Sequence, residues 1–245
     1  IITVSLSASL VPAVAEAFAQ SNIKLIKYRV QTALRMAILF ALPAATGLYL
    51  LALPITDIVF SEPGAAVPLR FVAWGVFFIA LQQTTTGILN GVGKTSIPAR
   101  NLMIGAVINA FINYTLTAIP QFGIRGAALG TTTGFAVAAF LNIYYVKKES
   151  HFVFDLRTMV IKPITAIAAM VVFTKLGYHY GLSFLKFAGI PYAYQITTFA
   201  VIIFAAFVYF TALLLLKEIK YKDLVMLPAF GRKLADYLKN LGLLD

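Results

Sequence analysis

Residues 187–216 read FAGIPYAYQITTFAVIIFAAFVYFTALLLL, with no Lys, Arg, Asp or Glu. A helix needs about 20 apolar residues to cross the ~30 Å hydrocarbon core of a bilayer. A soluble helix of this length would show a polar face, and this stretch has none. Four further blocks, 36–56, 71–93, 101–124 and 126–146, are equally free of charge. The whole chain is 60% hydrophobic and 12% charged, about half the charge of a soluble domain. These blocks predict an all-α integral membrane protein. Its segments are 1–18, 34–53, 69–91, 101–119, 126–146, 159–178 and 194–216. The sixth contains Lys162 and Lys175, read as lying near its ends, where lysine stems carry the ammonium to the interface.

The stretch GILNGVGKTSIPAR, residues 87–100, imitates a nucleotide-binding loop. That loop needs glycine six positions before the lysine so that backbone N–H groups surround the phosphates. Ile88 occupies that position before Lys94, and no strand–loop–helix domain surrounds it. The stretch therefore reads as a short turn. Its glycines end one helix, Pro98 fits the first turn of the next, and Lys94 and Arg100 face lipid phosphates. Contact with a phosphate-bearing substrate is the alternative. The chain has no cysteine, two histidines and nine acidic residues. None shows catalytic or metal-ligand spacing, so neither an enzyme nor a cofactor is expected.

The loop charges give an orientation. If the segments alternate, one side holds Lys24, Lys27, Arg29, Arg35, Lys94, Arg100, Lys147, Lys148, Arg157, Lys162 and the tail residues Lys217, Lys220, Lys222, Arg232, Lys233 and Lys239. The other holds Arg70, Arg125, Lys175 and Lys186. Basic loops stay in the cytoplasm, which places the C-terminus there. The net charge of +11 then reflects topology and gives no reason to expect nucleic acid or nucleotide as a partner. Residues 20–33 read as a basic interfacial helix. In the tail, 223–245, Leu227, Phe230, Leu234, Leu238 and Leu241 share one face, as in an amphipathic helix lying on a membrane.

Within the segments, polar and small residues recur every four positions. Gly126, Gly130 and Gly134 line a face suited to close helix packing. Gln82, Thr86 and Asn90 form one polar stripe, Asn109, Asn113 and Thr117 a second, and Ser5 and Ser9 a third. Such faces avoid lipid. They either hydrogen-bond between helices or line a hydrophilic substrate path. Pro12, Pro43 and Pro163 lie in or at the start of helices, with Pro43 the best-placed bend.

SLSASLVPAVAEA (5–17), TGILNGVGKTSIPARN (86–101) and INYTLTAIPQFGIRGAALGTTTG (112–134) resemble the C-terminal half of polysaccharide-exporter flippases. The nearest group is the stage V sporulation protein B-like proteins, related to lipid II flippases. All belong to the multidrug/oligosaccharidyl-lipid/polysaccharide exporter superfamily. The resemblance implies two six-helix lobes around a central cavity, in a bacterial cytoplasmic membrane. Residues 1–148 would then be the C-terminal lobe, entered part-way through a helix, with an N-terminal lobe missing. Residues 149–222 would be two additional spans, and 223–245 the amphipathic tail. The implied function is alternating-access transport of a polyprenyl-linked sugar or peptidoglycan precursor, used in cell-wall or sporulation chemistry. The coupling cation or membrane potential is left open. Family arginines that hold pyrophosphate have no counterpart in 1–18, so Arg35 and Arg70 stand as substitute phosphate contacts. Two alternatives remain: a cation-coupled multidrug exporter of the same superfamily, and a non-transporting scaffold for wall synthesis.

Overall fold

A computed structural model describes residues 2–155 and 157–217, with side chains from residue 11 onward. Among these residues it contains eight α-helices and no strand: α1 (Ile2–Ala19), α2 (Ile23–Leu50), α3 (Ala52–Phe60), α4 (Ala66–Gly91), α5 (Ser96–Thr117), α6 (Ile124–Ser150), α7 (Lys162–Phe187) and α8 (Ala193–Leu215). Five stretches are long and apolar enough to cross a membrane: Ile23–Leu50, Pro63–Gly91, Ile124–Ser150, Arg157–Phe187 and Ala193–Leu215. The chain is a multi-pass membrane protein. At 22 residues α5 also has spanning length, and it carries Asn101, Asn109 and Asn113. The amphipathic tail expected at 223–245 lies outside the described residues.

The chain divides between Phe154 and Asp155 into two compact units. In the first, α4 is the central helix, packed on α1, α2 and α6, while α5 packs almost wholly on α6. Small residues allow this. Ala73, Gly75, Ala80, Thr84, Thr85, Gly87 and Gly91 are all buried on α4. A Cβ at Gly91 would stand 2.9 Å from the Val11 carbonyl oxygen of α1. The Thr132 hydroxyl of α6 donates to the Phe71 carbonyl of α4 across 2.9 Å.

The turns follow from local chemistry. Asn22 caps α2, its Oδ1 accepting from the Leu25 N–H at 3.1 Å, which is the usual role of asparagine at a helix start. Arg29 clamps the α1–α2 turn by donating to the Ala13 carbonyl and to Glu16 Oε2. Residues 20–33 are therefore no separate interfacial helix. From Ile23 they form the opening of α2, whose 28 residues span about 42 Å. That exceeds the hydrocarbon core, so Lys24 and Lys27 can emerge while the helix stays continuous.

At the end of α4, Gly93 adopts φ +76°. Its N–H donates to the Asn90 carbonyl, and the Lys94 N–H donates to the Leu89 carbonyl. This is a Schellman ending, open to glycine because it lacks Cβ. Pro98 falls in the first turn of α5. Lys94 lies 4.0 Å from Glu149, and Arg100 donates to the Tyr145 hydroxyl at 2.7 Å. The loop is a helix-to-helix turn, as the spacing argument requires; its basic side chains, expected to face lipid phosphates, reach Tyr145 and Glu149 of α6.

In the second unit, Asp155 Oδ1 accepts from the Arg157 N–H and Oδ2 from the Thr158 hydroxyl. The Thr158 bond is the main reason its carboxyl is held below the ordinary aspartate range. A π-helical turn, Arg157–Ile161, leads into α7. Helices α7 and α8 form an antiparallel pair: Phe173 meets Phe204 at 6.3 Å between ring centroids, Gly177 faces Val201 and Phe204, and Gly181 faces Thr197.

Here one expectation is corrected. Helix α7 continues past Tyr178 to Phe187, so Lys162 begins it but Lys175 sits at its midpoint. Apolar content falls off after Tyr178, which ended the stretch too early in the sequence; the backbone continues because Gly177 and Gly181 keep it close to α8. Arg35 is corrected in the same way, since it lies near the middle of α2 and not at a helix end.

Among the glycines of the described residues, the closest approach joins α5 to α6. A Cβ on Gly134 would stand 2.7 Å from the Gly105 carbonyl oxygen, and one on Gly105 would stand 2.4 Å from the Gly134 carbonyl oxygen. Gly134→Ala should therefore destabilise the detergent-solubilised protein by about 1–3 kcal/mol. Gly181→Ala, whose Cβ would meet Thr197 at an ordinary 3.4 Å, should be near neutral. Thermal unfolding of the two variants side by side checks this; equal stability would contradict the seam.

Candidate functional site

Four polar side chains of the first unit meet where α4, α5 and α6 come together. Asn101, in the second turn of α5, donates its Nδ2 to Asn142 Oδ1 of α6 at 2.9 Å. Asn142 Nδ2 donates to Thr86 Oγ1 of α4 at 3.3 Å. Gln82 Nε2, one turn earlier on α4, donates to the same oxygen at 3.1 Å. Asn101 is 1% exposed and Asn142 0%. The chain links three helices through side chains that the protein itself shields from solvent. Asn101 Oδ1 has no partner.

A second polar feature lies further along the α5–α6 seam. Leu102, Gly105, Ala106, Asn109, Thr131, Gly134 and Phe135 line a small open cleft of about 80 Å³. Asn109 Oδ1 is buried there without a hydrogen-bond partner. It lies 2.9 Å from the point a Cβ on Gly130 would occupy, so that glycine makes room for the amide. Its α-hydrogens offer only weak C–H donors. Next on α5, Asn113 Oδ1 accepts from the Thr117 hydroxyl at 2.8 Å, a bond within one helix. Gly126 receives Leu116 and Thr117 in the same way.

The expected site residues thus fall into groups. Gln82 and Thr86 join Asn101 and Asn142 in the buried network. Asn109 alone lines the cleft, and Asn113 and Thr117 bond to each other. Asn90 is half-buried at the end of α4. Ser5 and Ser9 lie on α1, but their side chains fall outside the described residues. Arg35 is 9% exposed within α2. Arg70 is exposed and stacks 5.9 Å over the Tyr49 ring, which in turn lies 6.4 Å from Trp74. The Arg70 group is the amphipathic aromatic cluster expected at a membrane–water boundary.

Sequence reasoning missed Asn101, Asn142 and Gly105. Asn101 and Gly105 continue the register of Asn109, Asn113 and Thr117, and Asn142 continues that of Gly126, Gly130 and Gly134, but periodicity does not name a partner on another helix. The usable signal was that each lies within a charge-free block, where an unpaired amide is costly.

Residues 1–115 match the family model described as MatE. Among curated relatives, YabM of Bacillus subtilis, described as an uncharacterized membrane protein, is 28% identical over 149 residues, or 61% of this chain. Stage V sporulation protein B of Bacillus subtilis is 29% identical over 147 residues, or 60%. An uncharacterized membrane protein of Methanocaldococcus jannaschii is 29% identical over 146 residues, or 59%. In each case the match covers 28% of the relative's own length. The MatE match takes in Gln82, Thr86, Asn101, Asn109 and Asn113 and ends before Asn142 and the Gly126–Gly130–Gly134 face.

The network makes a quantitative expectation. Replacing either Asn101 or Asn142 by leucine strands the other amide, at a cost of about 1–3 kcal/mol. The double replacement removes both polar groups and should cost less than the two singles combined. Unfolding of the four proteins in detergent measures the coupling; strict additivity would show that the two amides do not depend on each other.

Proposed function

We propose that this chain is part of a flippase that moves a polyprenyl-linked saccharide or peptidoglycan precursor across the cytoplasmic membrane by alternating access. Residues 1–148 act in this reading as a C-terminal lobe facing a second lobe, residues 149–222 as two accessory spans, and the basic loops as the cytoplasmic side. The MatE match, with its similarity to a sporulation protein, is the observation that carries the reading. The side-chain chemistry supports it. Amides and hydroxyls suit sugar hydroxyls, and guanidinium groups suit phosphates. The physical problem is to carry a polar head through oil while its tail stays in lipid. A cavity opened alternately to each side solves it.

The test is reconstitution of the protein with its second lobe in liposomes bearing a fluorescent lipid-linked oligosaccharide. A membrane-impermeant quencher should extinguish inner-leaflet label at an accelerated rate. Export of a cationic dye without lipid flipping would favour the multidrug reading, and neither activity would favour a scaffold. Within this assay Asn109→Ala, which removes the unpartnered cleft oxygen, should slow flipping about tenfold if that oxygen meets the cargo. Unchanged flipping by a folded variant would assign Asn109 to packing.

A further inference from the structure

Helix α7 carries a charged stripe that the first unit does not explain. Its buried face is Pro163, Ala166, Met170 and Thr174, continued by Gly177 and Gly181 against α8. At 100° per residue, Lys175, His179, Ser183 and Lys186 fall on the opposite side. All are exposed. No ion pair reaches Lys175 or Lys186 among the described residues, and neither α7 nor α8 contains Asp or Glu.

Depth makes the stripe informative. Helix α8 runs uncharged from Ala193 to Leu215 and so marks the hydrocarbon core. Because Phe173 meets Phe204 and Gly177 faces Val201, Lys175 is level with Ile203, near the middle of α8. From Lys175 to Lys186 the helix climbs about 16 Å, roughly half the ~30 Å core. The stripe therefore runs from mid-membrane to one surface. An ionisable residue at mid-depth is costly and marks a functional contact. Resident phospholipids keep their phosphates at the surface, within reach of Lys186 but not of Lys175. Only an anion carried through the core meets both.

We propose that Lys175, His179 and Lys186 form a phosphate-binding track for the head group of a lipid-linked cargo in transit, with Lys175 the mid-depth contact. This rests on the flippase reading. Lysines supply ammonium donors to phosphate oxygens, and His179 a ring N–H. The hydroxyl of Ser183 is committed to the His179 carbonyl at 2.8 Å, which leaves the cationic groups to act on the anion.

The test uses the complete protein in neutral phosphatidylcholine proteoliposomes. The probes are a photoreactive polyprenyl pyrophosphate, the uncharged polyprenol and phosphatidylglycerol. Lys175→Gln removes a charge from hydrocarbon, so it does not threaten folding. It should weaken polyprenyl pyrophosphate binding about tenfold, leave polyprenol unchanged, and be rescued by Lys175→Arg. Phosphatidylglycerol should compete poorly. Undiminished binding by Lys175→Gln would overturn the proposal and leave the lysine merely reaching for the surface. Equal competition by phosphatidylglycerol would make the stripe a site for resident lipid and overturn it as well. So would a zero-length cross-link from Lys175 to a carboxylate of the protein, which would show a structural ion pair. Flipping is scored separately. Lysine-dependent binding without flipping would sink the flippase reading and keep the site; flipping that ignores Lys175→Gln would sink the site alone.

Discussion

Inside a bilayer there is no water to receive a stray hydrogen bond, and the first unit is organised around that constraint. Helices α4, α5 and α6 bring Gln82, Thr86, Asn101 and Asn142 into one hydrogen-bonded network. Each amide there must find a partner on another helix or remain unpaired. The network fixes which faces of the three helices meet. Polar contacts of this kind are worth about 0.6 kcal/mol each on average in a membrane. They therefore act less as glue than as a restriction on register, since sliding one helix by a turn would strand several groups at once.

Small residues make the register possible. Gly105 and Gly134 bring two backbones within carbonyl contact, and Gly130 gives the Asn109 amide its space. One side of α5 is thereby tied to α6. Its other side, with Met103, Val107, Phe111 and Tyr114, is exposed and apolar apart from one hydroxyl. The single cleft oxygen of Asn109 lies at the boundary between these surfaces. A helix with one polar edge and one oily face is compatible with the lobe proposed above. A helix buried on all sides would show neither.

Much of this was legible in the sequence. Charge-free blocks announced the spans because a bilayer imposes a length and forbids charge. The ending of α4 followed from Gly93 and Pro98, whose conformational limits are local. The face of Gly126, Gly130 and Gly134 followed from helical periodicity. What periodicity cannot supply is the partner. Asn101 meets Asn142 across 41 residues of chain, and nothing local to either announces the other. Helix ends were also misjudged where hydropathy and backbone diverge. Residues 20–33 looked too basic to join α2, and 179–187 too polar to extend α7. In the first place the helix leaves the bilayer without unwinding; in the second the backbone hydrogen bonds continue through polar residues alongside α8.

The account turns on polar faces being directed away from lipid. The chain has no cysteine, so single cysteines can be placed at will. The decisive measurement is the labelling of cysteine at position 109, and separately at position 111, in native membranes. Each is exposed to a water-soluble maleimide and to a lipid-dissolved one. Position 109 should react with the water-soluble reagent and position 111, on the oily face of α5, only with the lipid-dissolved one. Reaction of position 109 solely from the lipid phase, or identical behaviour at the two positions, would contradict the account.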